Sequence, residues 1–295
     1  MTASARSTVE LDPRTNAFRT DLADARLKGS VQAARFVVGE EMRVVKPVVP
    51  LRSSPADSAR LGTEAIRGEL VTMFETNADG WSWVQLKGDR YVGWTPREAL
   101  GEPGASPTHK VSAIRTFAFE APDIKSTPLA ALPLGAQVTV VGEAEDRNAS
   151  YALLAGGGAI VWQHLANRDA FESDWTAVAE RFLGVPYLWG GKTSLGVDCS
   201  GLVQIALQAC EVAAPRDSDM QETVVGTPLP LVDALPPLRR GDLVFWEGHV
   251  GIMRDSEALL HANAHRMAVT VEPLAEAIGR IGTRGQVVTS IKRIG

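Results

Sequence analysis

From Val44 to Asn167 the chain is a succession of short β-like runs broken by turn residues, and after Asp169 that pattern stops. The first set, between Val44 and Leu100, contains VVKPVVPLRS, ELVTMFET, WSWVQL and RYVGWTP. Trp81, Trp83 and Gln85 alternate with Ser82, Val84 and Leu86, so a two-faced strand is expected there, preceded by a turn at Asn77–Gly80. A second set, from Lys110 to about Asn167, holds VSAIRTFAFE, AQVTVVGEAED, YALLA and GAIVWQHL, again with turns at roughly ten-residue spacing. Pro103, Gly104 and Pro107 read as a linker between the two. An imperfect repeat relates them, because Gly-Glu-Leu-Val-Thr-Met (68–73) parallels Gly-Ala-Gln-Val-Thr-Val (135–140). Each copy is followed by a Trp-containing strand that enters a short 3₁₀-like turn, GWTPREAL and VWQHLANRD. Two successive small β units of similar size imply a tandem pair of barrels.

The last third reads differently. Trp175 to Leu183 and Cys199 to Cys210 are expected to be helices, the second with Leu202, Val203, Ala206 and Cys210 at helical spacing. The runs DLVFW, HVGIMR, EALLHANA, MAVTVEP and QVVTSIKRI then read as strands, which makes this region α+β. The division expected is a polar lead over 1–38 with a helix from about Asp21 to Phe36, barrels over 39–104 and 105–168, and an α+β domain over 169–295.

Composition excludes more than it proposes. A formal net charge of −5 and a pI near 5.6 give no electrostatic reason to expect nucleic acid or an anionic membrane as partner. The first residues lack a basic segment followed by an apolar one, and no run approaches the roughly 18 apolar residues of a membrane span. The expectation is a cytoplasmic protein. Cys199 and Cys210 lie on one expected helix, 11 positions or roughly 16 Å apart, beyond disulfide reach.

Three of the five histidines, His249, His261 and His265, fall within 17 residues. A thiol needs a base to act as a nucleophile near neutral pH. Cys199 at a helix N-terminus would meet the positive end of the helix dipole and free backbone N–H groups, and Asp198 and Ser200 are residues that start helices. Those N–H groups would then face a developing oxyanion. His249 is expected at a sheet edge facing that helix, with His261 placed to orient it.

Tyr-Leu-Trp-Gly-Gly (187–191), Asp-Cys-Ser-Gly-Leu-Val (198–203), Gly-Asp-Leu-Val-Phe (241–245), His-Val-Gly-Ile (249–252) and Leu-His-Ala (260–262) together resemble the NlpC/p60 family of cysteine peptidases. The resemblance covers roughly 170–295. It implies a papain-like fold with Cys199 as nucleophile, His249 as base, His261 as orienting residue and Tyr187 near the oxyanion, and with Asp198 and Ser200 helping to bind substrate. The β units resemble bacterial SH3-like barrels, most of all in DRYVGW (89–94). Members built this way cut after γ-D-glutamate in freed murein peptides, with the first barrel closing the site around a free N-terminal L-alanine. By that resemblance Glu69 and Tyr91 are the amine-binding pair, and Pro-Arg-Asp-Ser-Asp-Met-Gln (215–221) lines the groove through Asp217 and Ser218. No cofactor is implied. His261 and His265 lack the intervening Glu of a zinc-protease helix, so no metal is expected. Two other readings stay open on the sequence: a non-catalytic murein-binding protein, and an acyl or amide transferase using the same thiol.

Overall fold

The structure, a computed structural model, describes residues 11–231 and 235–295. A seven-stranded antiparallel sheet curls through residues 40–101, in the order Leu61–Ile66, Val48–Arg52, Val92–Pro96, Trp81–Leu86, Leu70–Thr76, Glu40–Val44 and Leu100–Gly101. Its interior is filled by Met42, Val49, Leu51, Val71, Val84 and Leu86. The alternation in Trp81–Leu86 separates two covered faces rather than a wet one and a dry one. Val84 and Leu86 point into the barrel, whereas Trp83 joins Phe74 and Trp94 in a second cluster closed by Ala17 and Leu22 of the preceding segment. Gln85, on that same face, donates from Nε2 to the Thr15 carbonyl at 2.7 Å. Burying the tryptophan face under the segment removes a large apolar surface from water, which holds the segment in place.

The helix expected over Asp21–Phe36 does not form. Leu22–Asp24 is a short strand pairing in parallel with Arg35–Val37, and a single 3₁₀ turn, Ala25–Leu27, lies between them. Asp24 accepts from the Arg26 N–H and caps that turn, and Gly29, at φ +89°, turns the chain back. Leu22 and Ala23 are both fully buried, so the apolar contacts are adjacent in sequence instead of spaced by a helical turn.

A five-stranded sheet (Pro128–Pro133, Arg115–Phe119, Ala159–Val161, Ser150–Leu154, Val140–Glu145) and a three-stranded one (Gln137–Val138, His109–Val111, Leu165–Asn167) form the next β unit around Val111, Leu132, Val138 and Ile160. The repeat seen in the sequence has a structural counterpart: a 3₁₀ turn, Arg97–Ala99, follows the strand that carries Trp94, and another, Trp162–His164, follows the strand Ala159–Val161 with its tryptophan inside the turn.

In the last third, Asp242–Trp246, His249–Met253, Ala258–Asn263 and Ala268–Pro273 pair antiparallel in sequence order. Val288–Arg293 lies on the other side of Asp242–Trp246, with Thr227–Pro228 at the edge. Helices α1 (Trp175–Glu180) and α2 (Cys199–Ala209) belong to the core on one face of the sheet, where Val178, Leu202, Val203 and Ala206 meet Phe245, Val250, Ile252 and Leu260. A short α3 (Ser218–Val224) follows α2 in the chain, and α4 (Leu274–Gly282) covers the opposite face. There Leu274, Ala277 and Ile281 meet Val244, Trp246 and Leu259. The α4 stretch, between the expected strands MAVTVEP and QVVTSIKRI, carries a helical spacing of apolar residues that the sequence reading did not assign.

Candidate active site

Helix α2 begins where Asp-Cys-Ser suggested. Asp198 is its N-cap and accepts from the Gly201 N–H at 2.7 Å, which makes Cys199 the first helical residue. Gly201 is required by a close approach, since a Cβ there would sit 2.3 Å from the Gly191 carbonyl oxygen. Cys199 is 7% exposed and opens onto a cleft of about 610 Å³. Tyr187, Ser200, Asp217 and Ser218 line the same cleft, and Tyr91 contributes a wall from the seven-stranded barrel. Gly248 also borders it, and His249 follows directly in the chain. The two-residue turn Glu247–Gly248, with Gly248 at φ +71°, sets His249 opposite Trp246 at the end of its strand.

The imidazoles form a chain. His249 Nε2 and His261 Nδ1 are 2.9 Å apart, and His261 Nε2 lies 2.7 Å from Glu272 Oε1. A carboxylate only accepts, so His261 donates from Nε2 and its Nδ1 is the acceptor. His249 must then donate from Nε2, which leaves the lone pair on its Nδ1. Burial lowers His249 to about 3, helped by the neighbouring His261 and Arg280, and it lowers His261 as well, against the pull of Glu272. Both rings are therefore neutral at pH 7. Burial also pushes the Cys199 thiol up to about 12, with Asp198 adding to the rise and the Val250 and Ser200 backbone N–H groups opposing it. At rest the thiol is neutral, and so is the imidazole chain that ends on a carboxylate. Burial raises the Tyr187 hydroxyl too, with Cys199 and Asp198 as further causes, so it stays protonated and able to donate.

Asp198 borders the cleft, yet its carboxylate is engaged inward. Oδ1 accepts from Gly201 N–H, Ser200 Oγ and Arg216, and Oδ2 accepts from Gly190 N–H and Arg216. Its place is structural support for the Cys199 helix, in contrast with the substrate contact expected. Arg216, only 1% exposed, also donates from Nε to Thr63 Oγ1 at 2.8 Å and so ties the barrel to the N-terminus of α2. Tyr91 donates its hydroxyl to Asp217 Oδ2 at 3.3 Å across the cleft. Asp217 is the N-cap residue of α3 but makes no side-chain cap bond, so its carboxylate remains turned to the cleft.

Glu69 is not beside Tyr91. The turn at Gly68, φ +92°, directs its carboxylate to the Ile66 N–H at 2.7 Å and to the Lys192 ammonium at 2.9 Å. Lys192 is 1% exposed, and Glu69 is the ion-pair partner of that buried charge. The side chain therefore faces a separate space between barrel and catalytic domain. Four contributors were absent from the sequence reading: Glu272 behind His261, Arg216 behind Asp198, Arg14 against Asp217, and Arg60, whose guanidinium stacks 4.7 Å from the Trp189 ring at the cleft. Arg216, inside Pro-Arg-Asp-Ser, lay in the stretch expected to line the groove, and Glu272 lay in the expected strand MAVTVEP.

Residues 184–281 match the NlpC/P60 family, and residues 51–100 match the bacterial dipeptidyl-peptidase Sh3 domain. Dipeptidyl-peptidase 6 of Lysinibacillus sphaericus is 26% identical over 252 residues, which covers 79% of this chain and 91% of that relative. The gamma-D-glutamyl-L-lysine dipeptidyl-peptidase of Bacillus cereus is 24% identical over 250 residues, 73% of this chain and 71% of the relative. The crystal structure of an NlpC/P60 family protein from Bacillus cereus superposes with a TM-score of 0.68 at 20% identity, covering 86% of this chain and 99% of that one, a likeness of fold. With Cys199 at a helix N-terminus in its papain-like part and an SH3-like domain ahead of it, the chain carries an NlpC/P60 cysteine-peptidase domain over residues 184–281, preceded by a bacterial dipeptidyl-peptidase Sh3 domain over 51–100.

Proposed function

We propose that the enzyme hydrolyses the bond after γ-D-glutamate in freed murein peptides that carry a free N-terminal L-alanine. His249 Nδ1 takes the Cys199 proton as the sulfur attacks the γ-carbonyl carbon, and returns it to the leaving amine of the diamino acid; water then cleaves the thioester. His261 holds the base in its tautomer. The Tyr187 hydroxyl and the N–H groups at the start of α2 face the oxyanion, and Ser200 and Ser218 line the path of the peptide.

The observation that carries the reading is the Tyr91–Asp217 contact, 3.3 Å, which joins a carboxylate and a hydroxyl from two different domains in the lining of the Cys199 cleft. A substrate ammonium needs such a pair. The names of the two relatives point the same way. The test is hydrolysis of L-Ala-γ-D-Glu-diaminopimelate and of its N-acetyl form by wild type and Cys199→Ala. Cleavage of the free peptide only, lost in Cys199→Ala, is expected. Equal rates on both peptides would remove the amine subsite, and binding without cleavage would return the chain to a binding role.

A further inference from the structure

The segment before the first barrel reaches the active site through one side chain. Arg14 Nη1 lies 2.8 Å from Asp217 Oδ2, and its Nη2 lies 2.7 Å from both Asp12 Oδ2 and Asp219 Oδ2. The backbone around it is anchored to the barrel: the Val92 N–H donates to the Arg14 carbonyl at 2.8 Å, next to the Thr15 carbonyl held by Gln85. Pro13 and Arg14 themselves line the Cys199 cleft. We infer that Arg14 is a positioning residue for Asp217, orienting its carboxylate so that one oxygen is left to receive the substrate ammonium.

The geometry divides the carboxylate. Oδ2 accepts from Arg14 and from the Tyr91 hydroxyl, whereas Oδ1 makes no hydrogen bond among the described residues. One guanidinium faces three carboxylates, those of Asp12, Asp217 and Asp219, so the cluster keeps a net negative charge for an incoming cation. The groups facing Asp217 are Arg14 from the N-terminal segment, Tyr91 from the barrel, and Arg216 and Asp219 from its own stretch of chain. Burial raises the Asp217 carboxyl, with the nearby Asp219 adding to it, and Arg216 and Arg14 oppose that rise. Without Arg14 the group would protonate at a higher pH and lose its grip on an ammonium. A flexible point charge is a poor substitute, because the fork spans three carboxylates at once.

The inference rests on the amine subsite proposed above, and the experiment separates the two. KM and kcat are measured from pH 5 to 8 on L-Ala-γ-D-Glu-diaminopimelate for wild type, Arg14→Gln, Arg14→Lys and Asp217→Asn, with folding checked by melting curves. Arg14→Gln is expected to raise KM about tenfold, the effect of losing one charge-assisted hydrogen bond, with the rise growing toward low pH and kcat changing less. Arg14→Lys restores part of the loss. An Arg14→Gln KM equal to wild type across the range, or lower than wild type because the arginine competes with the ammonium, overturns the inference while leaving the subsite intact if Asp217→Asn still raises KM. An unchanged KM in Asp217→Asn removes the subsite itself.

Discussion

His261 bridges a second imidazole and a carboxylate: its Nδ1 lies 2.9 Å from His249 Nε2 and its Nε2 lies 2.7 Å from Glu272 Oε1. The carboxylate thereby dictates the tautomer of a ring it does not touch. Replacing His261 with Ala removes the acceptor that keeps the proton off His249 Nδ1, and kcat is expected to fall by about 10²–10⁴-fold, the range seen when a positioned proton-transfer group is lost. Glu272→Ala is expected to act in the same direction but less, and Glu272→Gln less again, since an amide oxygen still accepts from His261. A kcat in His261→Ala within threefold of wild type would contradict the relay.

The pH dependence follows from burial. His249 and His261 are both held below the ordinary imidazole value of 6.5, so the base is already unprotonated at neutral pH. The acid limb of kcat/KM is therefore expected to have its midpoint below 6.5, reported for the coupled pair and not for one ring. Stability shares the sign. Below 6.5 the unfolded chain binds more protons at these two sites than the folded one, so folding stability is lost as pH falls from there toward the folded values. An acid limb centred at or above 6.5 would show that the rings rest protonated.

The Arg216–Asp198 pair is buried on both sides, and Arg216 has no route to water. Arg216→Met is expected to destabilise the enzyme by about 3–5 kcal/mol, because Asp198 is left as an uncompensated buried charge at the N-terminus of the Cys199 helix. Arg216→Lys would lose the fork that holds Asp198, Ser200, Gly191 and Thr63 together, and is expected to recover little. Thermal melts check this; a melting temperature unchanged in Arg216→Met would show that the pair holds nothing in place.

Glu69→Gln separates structure from binding. Glu69 faces Lys192 and not the cleft, so KM on the free peptide is expected to stay at the wild-type value. Stability drops by about 1–3 kcal/mol as the buried ammonium loses its charged partner. A KM increase comparable to that of Asp217→Asn would put Glu69 back at the substrate.

Much of the site was legible because its determinants are local. Asp-Cys-Ser specifies a helix start through an N-cap bond spanning three residues, and Trp-Glu-Gly-His specifies a tight hairpin through one glycine. The strands of the last third and the two 3₁₀ turns were visible for the same reason: alternation and turn chemistry act over a few positions. The segment over 21–36 was misread where local pattern and packing diverge, since Leu22 and Ala23 are buried side by side under the barrel's tryptophan face.

What the sequence determined by itself was a thiol at a helix N-terminus, a histidine at a strand end, and β units ahead of them. Which side chains surround that thiol was decided by tertiary structure. Arg14 meets Asp217 across 203 positions, Arg216 meets Thr63 across 153, and Tyr91 meets Asp217 across 126. No periodicity encodes pairs at such separations. They exist because the barrel seats its Leu61–Ile66 strand against the start of α2, and once that interface excludes water each buried charge must find the partner the packing brings to it. The same requirement sent Glu69 to Lys192 and brought Arg14 and Tyr91 to Asp217.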